Sequence, residues 1–210
     1  MKVFVTGEAG SLASRLIQQL DSKDIKLINQ NQNFKQTLCT PWSRTQEIDI
    51  TLGENLSRIR IENPDVIFHL AGLVGTPRCA SAPDIAVKSN VIGTMNVIKL
   101  HRPGRLIVYF GTTVMHDTRA RRPFVEDSPV RAETIYGATK YLGEELLRMT
   151  IPKEDLLIIR PCFVYGGKYD HASVITTMLR QKVSGIESGI TIPLSADNLK
   201  DYYYIDDFMS

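Results

Sequence analysis

The chain has 210 residues, of which 25 are basic and 23 acidic, giving a formal net charge of +2. Charges this evenly balanced and spread along the chain predict no nucleic-acid partner, and no apolar run reaches membrane-spanning length. The length suits one well-buried core and the beginning of a second lobe.

Short apolar runs alternate with segments of helical length, the pattern of βαβ units around a parallel sheet. The first strand, 2–6, starts at once and leaves no room for a signal peptide; a helix is predicted over 11–20. A strand at 25–28 is followed by a polar loop, 29–44, then by a short strand at 47–50 and a short helix at 56–61. The turn-forming Asn63-Pro64 introduces a buried strand at 65–70. Ile85, Val91, Ile92, Met95 and Ile98 recur at helical spacing and predict one helix over 82–100. A strand at 105–110, a helix at 134–149 and a strand at 156–160 complete the alternation. After Gly166-Gly167 it loosens into a helix at 173–183 and a strand at 202–205, with no helix expected to follow Asp206-Asp207. The expected fold is α/β, a Rossmann-type doubly wound parallel sheet over 1–165 with an incomplete C-terminal substrate lobe over 166–210. Cys39, Cys79 and Cys162 are isolated and lack metal-ligand spacing, which predicts reduced thiols in a cytoplasmic protein and no metal site.

Two short motifs carry the chemistry. Thr6-Gly7-Glu8-Ala9-Gly10-Ser11-Leu12-Ala13 is a glycine turn between the first strand and the first helix. Gly7 suits a positive φ, Gly10 permits close backbone approach, and the helix N-terminus points N–H groups at a pyrophosphate lying over Gly7 to Leu12. Ala13 stands where a third glycine is usual, a position that serves helix–strand packing. The second strand ends in Asn29-Gln30-Asn31, with no carboxylate and no adjacent arginine. Asn29 then bonds a ribose hydroxyl without charge, which favours NAD and leaves NADP open. Asp49, with Ile50, either meets the adenine edge or caps the segment after Thr51. The small Ala71-Gly72 lets a flat cofactor cross the strand ends.

The second motif is Tyr136-Gly-Ala-Thr-Lys140, a phenol and an ammonium on one helix face. A lysine there and the cofactor's positive nicotinamide ring are both expected to favour phenolate and lower the tyrosine pKa, making Tyr136 a usable base. Lys140 is also expected to bond the nicotinamide ribose. Thr112 is favoured over Thr113 to hold the reacting oxygen. His69 reads as a satisfied core histidine, and His116 is a weaker candidate to face substrate.

These residues resemble the extended short-chain dehydrogenase/reductase superfamily, in its NAD-dependent epimerase/dehydratase group acting on nucleotide sugars. The resemblance covers essentially the whole chain. Besides the two motifs it includes Asp49-Ile50, Pro64-Asp-Val-Ile-Phe-His-Leu-Ala-Gly72, Asn90-Val-x-Gly93-Thr94-x-Asn96, Arg160-Pro161-x-x-Val164-Tyr165-Gly166 and Asp201-Tyr202-x-Tyr204-Ile205-Asp206-Asp207. It implies that Leu70, Ala71, Gly72, Asn90, Pro161 and Phe163 line the cofactor, and that Thr112, Tyr136 and Lys140 form the catalytic triad. It also implies a homodimer built on the helices over 82–100 and 134–149. The strand end Gly111-Thr-Thr-Val-Met-His116 departs from the Thr-Asp-Glu of sugar dehydratases, which argues against 4,6-dehydration. The leading expectation is an NAD-dependent nucleotide-sugar epimerase. A cofactor-releasing reductase or dehydrogenase, and a non-catalytic nucleotide-binding protein, are the alternatives.

Overall fold

A computed structural model describes residues 1–21, 25–27, 49–120, 123–166, 175 and 201–209. Five parallel strands form the central sheet: β1 (Lys2–Thr6), β2 (Lys26–Leu27), β3 (Val66–His69), β4 (Leu106–Phe110) and β5 (Leu156–Ile159), in the order β2-β1-β3-β4-β5. Alternation along β1 sends side chains to both faces. Val3 and Val5 pack with Ala13, Leu16 and Ile17 of α1 (Ser11–Asp21), whereas Phe4 joins Ile67, Ile107, Val97 and Leu147 on the other face. Helices therefore cover both faces, and the sheet is doubly wound as expected. The predicted strand at 47–50 is not seen in its described half: Asp49 and Ile50 enter a turn in which the Leu52 N–H bonds the Asp49 carbonyl at 3.1 Å. After that turn comes α2 (Ser57–Glu62), ended by Asn63 in the left-handed region at φ 52°.

The expected helix over 82–100 is instead three pieces, preceded by a helix that was not anticipated, α3 (Thr76–Ser81). The pieces are α4 (Pro83–Val87), a π-turn (Lys88–Ile92) and α5 (Gly93–Ile98). The π-turn is closed by the Gly93 N–H bonding the Lys88 carbonyl. It faces α6 (Ile135–Thr150), where a Cβ on Gly143 would lie 2.9 Å from the Asn90 carbonyl oxygen, so only glycine permits the two helices to meet this closely.

Beyond β5, Phe163–Tyr165 (β6) pairs in parallel with Tyr202–Tyr204 (β7) as a separate two-stranded sheet. Phe163 was expected in a turn; it opens a strand. Asp206 and Asp207, expected in a terminal turn, lie in a short helix, α7 (Ile205–Met209), and the Arg15 Nε of α1 donates to Asp206 at 2.6 Å. The predicted helix at 173–183, Asn29, Cys39 and His171 lie outside the described residues, Ile175 aside. Among the described residues, no helix is long and apolar enough to cross a membrane.

Candidate active site

The C-terminal ends of β1, β3 and β4 gather the predicted residues along one edge of the sheet. At the end of β1, Gly7 has φ +75°, and the Gly10 N–H closes the turn onto the Gly7 carbonyl at 2.8 Å. A Cβ on Gly7 would lie 2.8 Å from the Ala71 backbone, so the turn sits against the end of β3 without room for a methyl group. The Gly10 carbonyl accepts from Ser14 N, and α1 begins at Ser11-Leu12, directly after this turn. Ala13 is buried between α1 and β1, the packing role read for it.

Beneath this edge runs a buried network. Thr6 Oγ1 lies 2.9 Å from His69 Nδ1 and accepts from the Ala71 N–H, while His69 Nε2 lies 2.9 Å from Thr94 Oγ1. The Thr94 hydroxyl spends its proton on the Asn90 carbonyl at 2.7 Å, so it accepts from Nε2–H. Nδ1 is left as the acceptor of the Thr6 proton. His69 is thus neutral with a defined tautomer, and burial, reinforced by Lys140, pushes its pKa down to about 3. His69 is the satisfied core histidine expected. His116 is buried as well, its Nδ1 3.2 Å from the Ser128 carbonyl and its ring stacked on Phe124, which is a structural placement.

Asn90 lies on the π-turn, and its side chain is fully engaged by protein. Its amide group donates to the Leu73 carbonyl and to Thr139 Oγ1, both at 3.0 Å, and its carbonyl oxygen accepts from Leu73 N at 2.8 Å. A Cβ on Gly72 would meet that oxygen at 2.6 Å. Asn90 therefore shapes the Leu70–Leu73 loop and ties it to α6. Asp49 spends one oxygen on the Thr51 N–H at 2.8 Å in a local turn. The 3₁₀ turn Gly53–Leu56 that follows starts at Leu52 without a side-chain cap, so Asp49 is not the cap. The Ile50 side chain is in the core against Gly93. Pro161 accepts from Thr113 N at 3.4 Å, beside the end of β4, and Phe163 packs on Tyr202 at 5.5 Å.

Thr134 caps α6 by accepting from Gly137 N at 3.0 Å, and this sets Tyr136 in the first turn. Tyr136 is buried among Leu73, Cys79, Ala82 and Ala86, and the Thr112 hydroxyl, which accepts from Val114 N at 3.3 Å, acts on its phenol by favouring the ionised form. The expected lowering of the Tyr136 pKa is not found: burial raises it, the Thr112 hydroxyl opposes this more weakly, and Cys79 adds to the rise. The reason lies in where the ammonium goes. Lys140 Nζ sits 4.3 Å from the centroid of the Tyr109 ring, beside Gly72, and burial lowers its own pKa to about 7 against the pull of Glu144. Glu144 was missed by sequence reasoning, although Lys140 and Glu144 at i,i+4 were a readable signal. Its buried carboxylate accepts from Arg160 Nε at 3.0 Å and Nη2 at 2.6 Å, and from Arg148 Nε at 3.0 Å. Among the described residues no cluster of His, Cys, Asp or Glu could hold a metal ion.

A family model for the NAD dependent epimerase/dehydratase family matches residues 3–210. The chain belongs to this family. Among epimerase/dehydratase relatives, the spore coat polysaccharide biosynthesis protein SpsK of Bacillus subtilis is 28% identical over 180 residues, covering 85% of this chain and 58% of SpsK. The UDP-glucose 4-epimerase of Mycolicibacterium smegmatis is 25% identical over 222 residues, 99% of this chain and 70% of that protein. The dTDP-4-dehydrorhamnose reductase of Bacillus anthracis, solved in complex with NADP, superimposes with a TM-score of 0.69 at 26% identity, over 87% of this chain and 60% of its own. The chain thus spans less than two thirds of SpsK and of that reductase, and the family contains both epimerases and reductases.

Proposed function

We propose that this chain binds NAD and epimerises a nucleotide sugar by transient oxidation and re-reduction of one hydroxyl. The observation that carries this reading is that Tyr136 and Lys140 are both buried on one helix, Lys140 beside Gly72, with the Thr112 hydroxyl favouring ionisation of the Tyr136 phenol. Gly7, Gly10, Ser11 and Leu12 would hold the pyrophosphate, at a turn where a side chain on Gly7 has no space and from which α1 starts. Leu70, Ala71 and Gly72, shaped by Asn90, would carry the nicotinamide half, and Asn29 the adenosine ribose. When bound, NAD supplies reversible two-electron oxidation of the hydroxyl-bearing carbon. Thr112 orients the sugar oxygen and Tyr136 takes its proton as it becomes a carbonyl. Tyr136 then returns the proton when that carbonyl is reduced on its opposite face. Thr113 and Val114 follow Thr112 where a water-expelling carboxylate pair would be needed, so the chemistry stops short of dehydration. We assign nucleotide binding to 1–165 and the start of the sugar lobe to 166–210, in a cytoplasmic setting that suits reduced Cys79 and Cys162.

The Bacillus anthracis reductase supports a second reading, a reductase that releases its cofactor each cycle. Cofactor retained through purification favours epimerisation, and turnover of uridine-, guanosine- and thymidine-diphosphate sugars tests both. A protein that binds NAD and turns over none of the panel is the non-catalytic alternative. Gly10→Asp is expected to abolish NAD binding in calorimetry, because it places a carboxylate among the phosphates at the start of α1. Unchanged affinity there removes the glycine turn from the site, and tighter wild-type binding of NADP than NAD overturns the reading of Asn29.

Two chains are proposed to pair through the π-turn, α5 and α6, where Ile92, Met95, Leu142 and Met149 remain exposed. Sedimentation should give twice the chain mass, reduced to one by Leu142→Glu. A wild type that sediments at single-chain mass refutes the pairing.

A further inference from the structure

We infer that Tyr109 is a positioning residue for Lys140, its ring face seating the ammonium that the catalytic helix presents. The inference rests on the reading of Lys140 as part of the site. Tyr109 is the fourth residue of β4, wholly buried, and its ring centroid lies 4.3 Å from Lys140 Nζ. Its hydroxyl donates to the Lys140 backbone carbonyl at 3.0 Å, so ring and lysine are held by two contacts from one side chain. Gly143 makes this possible, since a Cβ there would lie 2.9 Å from the Tyr109 oxygen. The ring also packs against His69, centroid to centroid at 5.5 Å and tilted by 48°.

The surroundings explain why a π face is needed. An ammonium taken out of water needs compensation. Tyr136 and Cys79 face the site from α6 and α3 as neutral groups, and His69 from β3 is held neutral by its threonines. Glu144 attracts Lys140, but its carboxylate already faces the guanidinium groups of Arg160 and Arg148. What remains directly over Nζ is the electron-rich face of Tyr109, a contact that strengthens on desolvation. Burial raises the Tyr109 pKa well above its ordinary value, so the ring stays a neutral phenol.

The test follows the lysine and needs no turnover. In the full chain labelled with ¹³C-lysine, the Lys140 Cε resonance is assigned by its absence in Lys140→Met. Its titration midpoint is expected near 7, well apart from exposed lysines near about 10.4. Tyr109→Phe, which keeps the ring, should hold the midpoint within about 0.3 of a pH unit. Trifluorophenylalanine at position 109 keeps the same shape with an electron-poor face, and should lower the midpoint by about 0.5–1 unit relative to Phe. Equal midpoints for the two rings overturn the inference, whatever the activity. A lowered midpoint in a protein that turns over no sugar leaves Tyr109 as the seat of Lys140 and removes only the proposed reaction.

Discussion

Tyr136→Phe is expected to lower nucleotide-sugar turnover by about 10²–10⁴-fold, the usual worth of a general acid–base group, while NAD stays bound. The substitution removes one oxygen and leaves the packing of the ring against Leu73, Cys79 and Ala86 intact. Lys140→Met should be at least as damaging, because it empties the seat over Tyr109 and removes the charge beside Gly72. Thr112→Val should cost more than Thr113→Val, since it is the Thr112 hydroxyl that favours ionisation of the phenol. Burial raises the Tyr136 pKa, so the phenol is neutral before substrate arrives and its activation must come from the loaded site. Steady-state rates for the four variants on the sugar panel check the series. Equal rates in wild type and Tyr136→Phe sink the mechanism.

The second large effect is on stability in mild acid, through His69. Its pKa is about 3 in the folded chain because burial, and secondarily Lys140, disfavour the cation, against an ordinary 6.5. Between those values the unfolded chain binds a proton that the folded chain does not, so stability is full above 6.5 and falls as pH drops below it. The slope is about 1.4 kcal/mol per pH unit for one group, giving a loss of about 2–3 kcal/mol at pH 4.5. Glu144 is also pushed upward by burial, but Arg160 and Arg148 outweigh this and hold it below its ordinary 4.5, so its contribution is lost only at lower pH. Urea unfolding from pH 7.5 to 4.5 measures the slope. His69→Gln should be less stable at pH 7.5 yet lose most of the pH dependence in that window. The same slope in the variant would assign the proton to another group.

Much of the architecture was legible because each strand is a short apolar run bounded by a turn residue: Gly7 closes β1 and Asn63-Pro64 opens β3. The glycine turn and the Tyr136–Lys140 pair were legible for the same reason, since their meaning is local. The helix over 82–100 was misread because apolar spacing survives a π-turn, which disturbs the hydrogen bonds without breaking the apolar stripe. In the described half of the strand predicted at 47–50, Asp49 and Ile50 were misread because Asp49 and Thr51 form a local side-chain bond that competes with extension. The tyrosine pKa was misjudged because spacing shows that two residues share a face but not which third residue lies between that face and the sheet. Tyr109 is 31 positions from Lys140 and Thr139 is 49 from Asn90, and no local pattern announces either contact.

The π-turn also bears on how this helix tolerates change in length. It amounts to one extra residue within an otherwise α-helical path. Deleting a single residue from 88–92 would let the turn relax to ordinary winding, with the helix on either side keeping nearly its present phase while the wide turn that carries Asn90 is lost. Asn90 would leave Leu73 and Thr139, and the loop at Gly72 would lose its partner. A one-residue gap here is therefore not a neutral indel. The residue count of this segment is thus tied to the shape of the loop it supports, whereas its exposed side chains are not.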